Sequence, residues 1–477
     1  MYIGLDLGTS GLKAVVLDEA QRLLAEATAP LSVSRPESGW SEQAPQEWID
    51  AADLVMRALK EATDLSGVRA IGLSGQMHGA TVLDAADGVL RPAILWNDTR
   101  AAAEARAMDD DPAFRRITGN IVFPGFTAPK LAWMKAHEPE LFGHVARVLL
   151  PKDYLRLWLT GEAVSEMSDA AGTAWLDVGA RDWSAKLLAA TGLGVEHMPR
   201  LVEGSQPSGR LRDALASKWG LPPGVIVAGG AGDNAASAVG VGAASPGEGF
   251  LSLGTSGVLF AATEAFRPMP ETAVHTFCHA LPGTWHQMGV ILAASDALSW
   301  LARAVGQSPA QLTAALGGLQ APGRTLFLPY LGGERTPHND AAVRGAFLGL
   351  EHAADTAALT RAVLEGVTHA FTDCQAALAQ TGTRLERLIA IGGGSRSDYW
   401  LEALATGLGI EVDLPVSGDF GAAFGAARLA MMADGAGAEG ITPPETARRI
   451  APAPALTEAF AEAHERYRAA YAAVRAF

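Results

Sequence analysis

Two short stretches place acids, hydroxyls and glycines where apolar strands end. In "YIGLDLGTSGLKAVVL" an apolar run carries one acid, Asp6, then breaks into Gly8-Thr9-Ser10-Gly11 and resumes with Lys13 just inside. Glycines let such a turn take left-handed φ and bring its backbone N–H groups close to a ligand. Consecutive N–H groups form a nest for phosphate oxygens, and the hydroxyls of Thr9 and Ser10 add donors. A carboxylate beside Ile3, Leu5 and Leu7 is costly to bury without a partner. Next to phosphates that partner is a magnesium ion, held directly or through water. The spacing supports two readings of Lys13, a phosphate contact and an ion pair with Asp6.

The second acid is Asp233, in "VIVAGGAGDNAASAVG". Aspartate at the start of a helix is ordinarily an N-cap. Here the surrounding glycines admit a close approach and Asn234 adds a polar neighbour, which favours a working site. Asp419, in "VSGDFGAAFG", is the counterpart in the other half. "IGGGSRSDYW" sets Gly393, Gly394 and Ser395 after a strand, a glycine platform suited to a flat base.

The elements that must position these groups alternate between strand-like and helix-like patterns, an α/β arrangement. Trp48, Ala52, Val55 and Leu59 fall on one helical face. "ATVLDAADGVLRPAILW" reads as a hairpin around Asp87-Gly88. Leu359, Val363, Val367, Ala370, Cys374 and Leu378 share a face of a long helix, which makes Cys374 a core residue. A last helix from about Ala455 buries Phe460, Tyr467, Tyr471 and Val474. "GAGAEGITPPETARRIAPAPA" is the one linker-like stretch.

An internal repeat organises the chain. Leu7-Gly8-Thr9-Ser10-Gly11 returns as Leu253-Gly254-Thr255-Ser256-Gly257; "VRAIGLSGQ" is echoed by "RLIAIGGGSRS", and "VIVAGGAGDNAASAVGVG" by "VDLPVSGDFGAAFGAARLA". Three echoes in one order predict two copies of one α/β domain, 1–245 and 246–477. Each copy supplies one glycine-hydroxyl tip, so facing tips could grip a polyphosphate across a cleft.

Composition narrows the function. With 477 residues, a net charge of −15 and no lysine-arginine block, the chain offers no broad nucleic-acid surface. Two cysteines make no disulfide framework, which fits a reducing cytoplasm. No signal peptide and no membrane span are expected. His275, Cys278, His279 and His286 lie in "HTFCHALPGTWHQ", whose spacing fits no common zinc site and reads as two strands.

"DLGTSGLK", "GDNAA", "LGTSG" and "IGGGSRS", in this order, resemble the phosphate, connecting and adenosine motifs of the actin-like, ribonuclease-H-like ATPase superfamily. "GFTAPKLAWMKAHEP" (125–139) resembles the first signature of the FGGY carbohydrate kinases and "GAFLGLEHAADTAALTRAVLEG" (345–366) the second. Ala358 departs from the polar or acidic residue usual there, at an early helix position. "SGQMHGATVLD", "RPAILWND", "LPKDYLRLWLTGE", "SDAAGT" and "FLPYLGGERTPHND" resemble the members of that family that phosphorylate D-xylulose. The resemblance covers essentially the whole chain.

It implies two ribonuclease-H-like (actin-like ATPase) domains with a catalytic cleft between them, ATP as co-substrate, Mg2+, and a sugar deep in the cleft. No membrane partner is implied, and a homodimer is compatible with it. By position Asp233 matches the catalytic acid and Asp6 the acid that helps hold magnesium, so that the resemblance makes both Asp233 and Asp6 catalytic residues and both residues of the metal site. Thr9, Ser10, Lys13, Gly254 and Thr255 match the phosphate loops, and Gly393, Gly394 and Ser395 the adenosine motif. Met77 and His78 match the sugar-contacting pair, joined by Asp233 and Asn234. Glu334 and Arg335 either close the cleft or form a loop held by its own salt bridge. The alternatives are another ketose or polyol acceptor, such as ribulose or glycerol, and a catalytically silent sugar sensor of the same fold.

Overall fold

The computed structural model describes residues 1–416, 420–440 and 443–475; Asp419 lies outside them. The first half is built on β1 (Tyr2–Leu7), β2 (Gly11–Leu17), β3 (Leu23–Pro30), β4 (Ala70–Gly75), β5 (Pro207–Arg210), β6 (Ile226–Ala228) and β7 (Ala231–Gly232). They form one sheet in the order β5-β6-β4-β1-β2-β3, with β7 also paired to β4. The second half is built on β8 (Glu248–Leu253), β9 (Gly257–Thr263), β10 (His275–Cys278), β11 (Trp285–Ile291), β12 (Arg387–Ile391), β13 (Val412–Pro415) and β14 (Thr446–Ile450), ordered β10-β11-β9-β8-β12-β13-β14.

Both sheets follow one plan. A three-strand antiparallel meander (β1-β2-β3; β8-β9-β11) continues into a parallel strand beside its first member (β4; β12). The echoed segments therefore occupy equivalent places, and each glycine-hydroxyl tip joins the first two strands of its meander.

Helix α1 (Pro45–Ala62) buries Trp48, Ala51, Ala52, Val55, Met56 and Leu59 against the face of β1 that carries Ile3, Leu5 and Leu7. The alternate residues Tyr2, Gly4 and Asp6 point to the other face. Further elements that bear on the site are α2 (Thr127–His137), α3 (Pro151–Thr160), α4 (Asp233–Val241), α5 (Ser295–Val305), α6 (Pro309–Ala314), α7 (Thr356–Gln380), α8 (Asp398–Leu408), α9 (Ala422–Ala433) and α10 (Thr457–Val474). Asp355 caps α7 by accepting from the Ala358 N–H at 2.8 Å, which places the departure from the second signature in the first turn. Cys374 and Cys278 are fully buried core residues. In α10, Phe460 and Tyr467 are buried as expected, while Tyr471 and Val474 are only partly so.

Helix α9 belongs by sequence to the second half, yet it packs on the first. A Cβ on Gly4 would lie 1.8 Å from the Ala423 carbonyl oxygen, one on Gly72 1.8 Å from that of Ala426, and one on Gly425 1.8 Å from that of Ala236. Only glycine permits these backbone approaches. A second tie is a core that mixes Met77, Phe126 and Trp175 with Phe250, Phe260, Phe277 and Met288.

Two expectations need correction. The run around Asp87-Gly88 does turn tightly, but its flanks meet only through isolated bridges, Leu83–Val89 and Ala80–Ile94. Thr81–Leu83 pairs instead with Arg147–Leu149, and Ala93–Ile94 with Glu42–Gln43. Pro92, without an N–H, interrupts the hairpin ladder. The linker-like stretch contains β14, an edge strand paired with β13.

Gly425→Ala is expected to cost about 2 kcal/mol or more through forced backbone displacement. Gly318→Ala, where a Cβ meets nothing within 4 Å, should stay within about 0.5 kcal/mol of the parent. Denaturant titration of the two variants checks both.

Candidate active site

Strands β1, β4 and β7 run parallel, and their register aligns Asp6 with Ser74 and Ser74 with Ala231. Asp233 follows one residue after β7, so both acids emerge at the carboxyl edge of the same strands. In open α/β sheets this edge is where ligands bind. Asp233 is the first residue of α4, and Gly232 holds the N-cap position without a side-chain cap. Its Oδ1 accepts from the Asn234 N–H at 2.7 Å and from the Asn234 side-chain amide at 3.0 Å. Burial pushes the Asp233 carboxyl above the usual carboxylate range in spite of those two bonds. Oδ2 is left to face other chemistry.

Behind this turn lies a charged network with no exposure at all. The Arg156 guanidinium donates to the carbonyls of Ala228 and Gly229, and Ser168 Oγ accepts from the Gly232 N–H at 3.1 Å. Glu166 holds Ser168 through Ser168 Oγ–H at 2.8 Å and Ser168 N–H at 2.7 Å. Lys152 pairs with Asp153 at 2.7 Å, Asp169 at 3.0 Å and Glu166 at 3.3 Å. Burial pulls the Lys152 ammonium down, and the three carboxyls more than reverse it. Burial, aided by Asp153 and Glu166, holds Asp169 well above the ordinary range against the pull of Lys152.

The two glycine-hydroxyl tips share a second property. In the first, the carbonyls of Leu7, Thr9 and Ser10 are taken by the Gln76 N–H, the Gln43 side-chain amide and the Leu31 N–H. In the second, those of Leu253, Gly254 and Thr255 are taken by Ser295 Oγ–H, the Ser295 N–H and the Ala294 N–H. Acceptors that would repel an anion are thus occupied. The Thr9 hydroxyl is itself engaged, donating to Gln76 Oε1 at 2.8 Å and accepting from Trp96 Nε1–H at 3.0 Å. Ser10, Thr255 and Ser256 are exposed. Lys13 stands opposite Asp6 in the β1–β2 ladder and makes an ion pair with Glu26 at 3.1 Å, a partner that neither sequence reading named.

The Gly392–Ser395 turn rests against the second tip. A Cβ on Gly392 would meet the Leu253 backbone at 2.9 Å, and one on Gly394 would meet Leu253 Cβ at 2.8 Å and Ser295 Oγ at 2.9 Å. One cavity of about 560 Å³ lies between Gly393-Gly394 and the apolar faces of α5 and α6, including Leu298, Ala310 and Ala314. A second, of about 600 Å³, opens over Gly392, Ser395, Phe420 and Gly421 at the start of α9.

On the other side of Asp233, Met77 is buried against Gly232 and Gly172, where a Cβ would sit 2.9 Å from its side chain in each case. His78 has φ +69° and is half-buried. Its Nδ1 lies 2.6 Å from the Gly172 carbonyl and must donate to it, and its ring stacks on Phe126 at 4.7 Å. Burial, reinforced by Lys130 and Arg335, lowers its pKa to about 3, so the ring is neutral with Nε2 as acceptor. Phe277 and His275 of β10 extend the same aromatic group.

Glu334 is a loop pin. Its Oε1 accepts from the N–H groups of Arg335 and Leu292 at 2.8 and 2.9 Å, and burial pushes its carboxyl up to about 8. Arg335 stacks instead on Phe123 of the first half at 4.5 Å, with Nη1 3.4 Å from His275 Nε2. Burial keeps His275, His279 and His286 neutral. Among the described residues no group of three or more His, Cys, Asp or Glu side chains is placed to hold a metal. Two carboxylates at one strand edge, beside the buried Ser74 hydroxyl, do fit Mg2+, which takes one or two protein carboxylates and completes its shell with water and phosphate.

Comparison with known proteins agrees with this architecture. Residues 1–240 match the N-terminal domain of the FGGY family of carbohydrate kinases, and residues 249–433 its C-terminal domain. The chain belongs to that family, and its fold is the actin-like ATPase fold. It is 52% identical to the xylulose kinase of Klebsiella pneumoniae over 91% of this chain and 90% of that protein. A crystal structure described as a "xyloylose kinase" from Brucella ovis superposes with a TM-score of 0.98 at 61% identity, covering 100% of this chain and 99% of that one. The xylulose kinase from Rhodospirillum rubrum gives 0.93 at 32% identity, with 100% and 99% covered. Among the described residues no helix is long and apolar enough to cross a membrane.

Lys152→Met strips three buried carboxyls of their shared cation and should cost about 3–5 kcal/mol. Guanidinium unfolding measures it; a loss below about 1 kcal/mol would mean that the network does not support the turn.

Proposed function

We propose that this carbohydrate kinase transfers the γ-phosphoryl group of ATP to the 5-hydroxyl of D-xylulose, giving D-xylulose 5-phosphate and ADP. The observation that carries the reaction type is Asp233, half-buried at a helix start with one oxygen held by Asn234, on the same strand edge as Asp6. The acceptor is carried by the names of the relatives above, together with the Met77-His78 pair beside that acid.

Domains 1–245 and 246–477 would each contribute one tip to the triphosphate. Gly393, Gly394 and Ser395 would take the adenosine, with the base against α5 and α6. The N–H groups of the tips, the Ser10 and Thr255 hydroxyls and Lys13 would hold phosphate oxygens. Asp6 would hold Mg2+, with Asp233 near it. When bound, that ion offsets the negative charge that spreads over the transferring group.

Asp233 Oδ2 would accept the proton of the attacking hydroxyl. Asn234, by occupying Oδ1, decides which oxygen faces the sugar. His78 Nε2, neutral, would accept from a second sugar hydroxyl, and the Asn234 side-chain oxygen is a further acceptor. Much of the effect is positioning, since phosphoryl transfer asks little covalent chemistry of the protein.

ADP release with Mg-ATP should be clearly fastest with D-xylulose in a panel that includes L-xylulose, both ribuloses, glycerol and D-xylose. Faster turnover of another acceptor would reassign the pocket, and none with any acceptor would favour a sensor. Asp233→Asn should lower kcat about 10²–10⁴-fold while leaving sugar affinity largely intact. Because the working form of Asp233 is deprotonated and burial raises its pKa, activity should rise with pH through the titration of this carboxyl. It should fall on acidification through a value above the ordinary ~3.9 of aspartate. A pH–rate profile with its acid limb at or below that value would contradict the assignment.

A further inference from the structure

The first family signature, 125–139, supplies Phe126 beneath the His78 ring and also contains a lysine with no solvent exposure. Lys130 lies on α2, and its Nζ donates to the His78 carbonyl oxygen at 2.9 Å. Thr127, one turn earlier on the same face, donates its hydroxyl to that same oxygen at 3.1 Å. The nearby acid, Asp98, is already engaged by the Arg100 side chain at 2.9 and 2.7 Å and by the Ser41 N–H at 2.6 Å. Burial pulls the Lys130 ammonium well below the usual lysine range. Among the described residues its one hydrogen bond is the bond to His78.

The recipient is one of the non-glycine residues in the left-handed region, with φ +69°. A non-glycine residue in the left-handed region costs about 1–2 kcal/mol and persists only where its surroundings over-determine it. At His78 the surroundings act at three points: two donors on the carbonyl, the Gly172 carbonyl on Nδ1, and Phe126 under the ring. Gly172 must be glycine for the ring to sit there, because a Cβ would lie 2.5 Å from its Cε1.

We infer that Lys130, with Thr127, is a positioning residue that fixes the strained backbone of His78 and so aims Nε2 at the sugar. The inference rests on the proposed contact between His78 and the sugar. It explains why a signature helix carries a buried lysine and a hydroxyl three residues apart: both serve one carbonyl.

The test is steady-state kinetics on Lys130→Met, Thr127→Val and His78→Ala, alone and combined. Lys130→Met is expected to raise KM for D-xylulose about tenfold and Thr127→Val about threefold, with KM for ATP within about twofold of the parent. In a His78→Ala background neither should raise the sugar KM further, since contacts acting through one residue are not additive. Thr127→Val keeps the side-chain shape, so it carries the test if Lys130→Met fails to fold. Equal rises in both KM values, or full additivity with His78→Ala, would overturn the inference. So would silent Lys130 and Thr127 variants beside a damaged His78→Ala, which leaves the sugar contact standing. A sugar KM unmoved by His78→Ala would remove the contact itself and the inference with it.

Discussion

The structure depends on three places where backbone meets backbone with no side chain between. Gly4 and Gly72, on neighbouring parallel strands, admit α9 from the second half, and Gly425 of α9 admits α4 from the first. Gly4 and Asp6 lie on the same face of β1, so the helix that covers the glycine also bounds the acid. Asp233 opens α4, the other partner of α9. One close-packed junction therefore fixes both carboxylates relative to the cavity at the start of α9.

Charge is distributed unevenly around that junction. Behind the Asp233 turn, Lys152, Arg156, Asp153, Glu166 and Asp169 form a buried ionic scaffold that grips main-chain carbonyls and an N–H. Fully paired, such a network rigidifies its surroundings; broken, it is costly. On the other side, burial among Phe126, Phe123 and Phe277 holds His78 and His275 uncharged, with the basic groups of Lys130 and Arg335 against them. Neutral imidazoles exchange hydrogen bonds without carrying charge, which is compatible with the uncharged acceptor proposed above.

Much of this was legible in the sequence because it is local. Two identical Leu-Gly-Thr-Ser-Gly turns between apolar runs mark the repeat, and Trp48 to Leu59 show their helical spacing directly. Asp6 and Asp233 stand out because each interrupts a stretch of small or apolar residues. What could not be read is long-range. Nothing near Asp87-Gly88 says that Thr81–Leu83 will choose Arg147–Leu149 as its partner. The ionic scaffold is drawn from "LPKDYLRLWLTGE" and "SEMSDA", whose charges look like a solvated helix face until the fold buries them. Lys130 is hidden in the same way, and Trp96, half exposed yet bonded to Thr9, carried no signal beyond its residue type. Buried charge was the informative feature, and a charged residue in sequence is ordinarily a surface residue.

The central claim is that the acid edge of β1, β4 and β7, the two tips and His78 enclose one reaction path. A crystal structure with D-xylulose, Mg2+ and a non-hydrolysable ATP analogue tests it most directly. The account predicts the sugar 5-hydroxyl within about 2.6–3.2 Å of Asp233 Oδ2, in line with the γ-phosphate, and a second hydroxyl on His78 Nε2. A ketose bound away from Asp233, or triphosphate oxygens that bypass both tips, would contradict it.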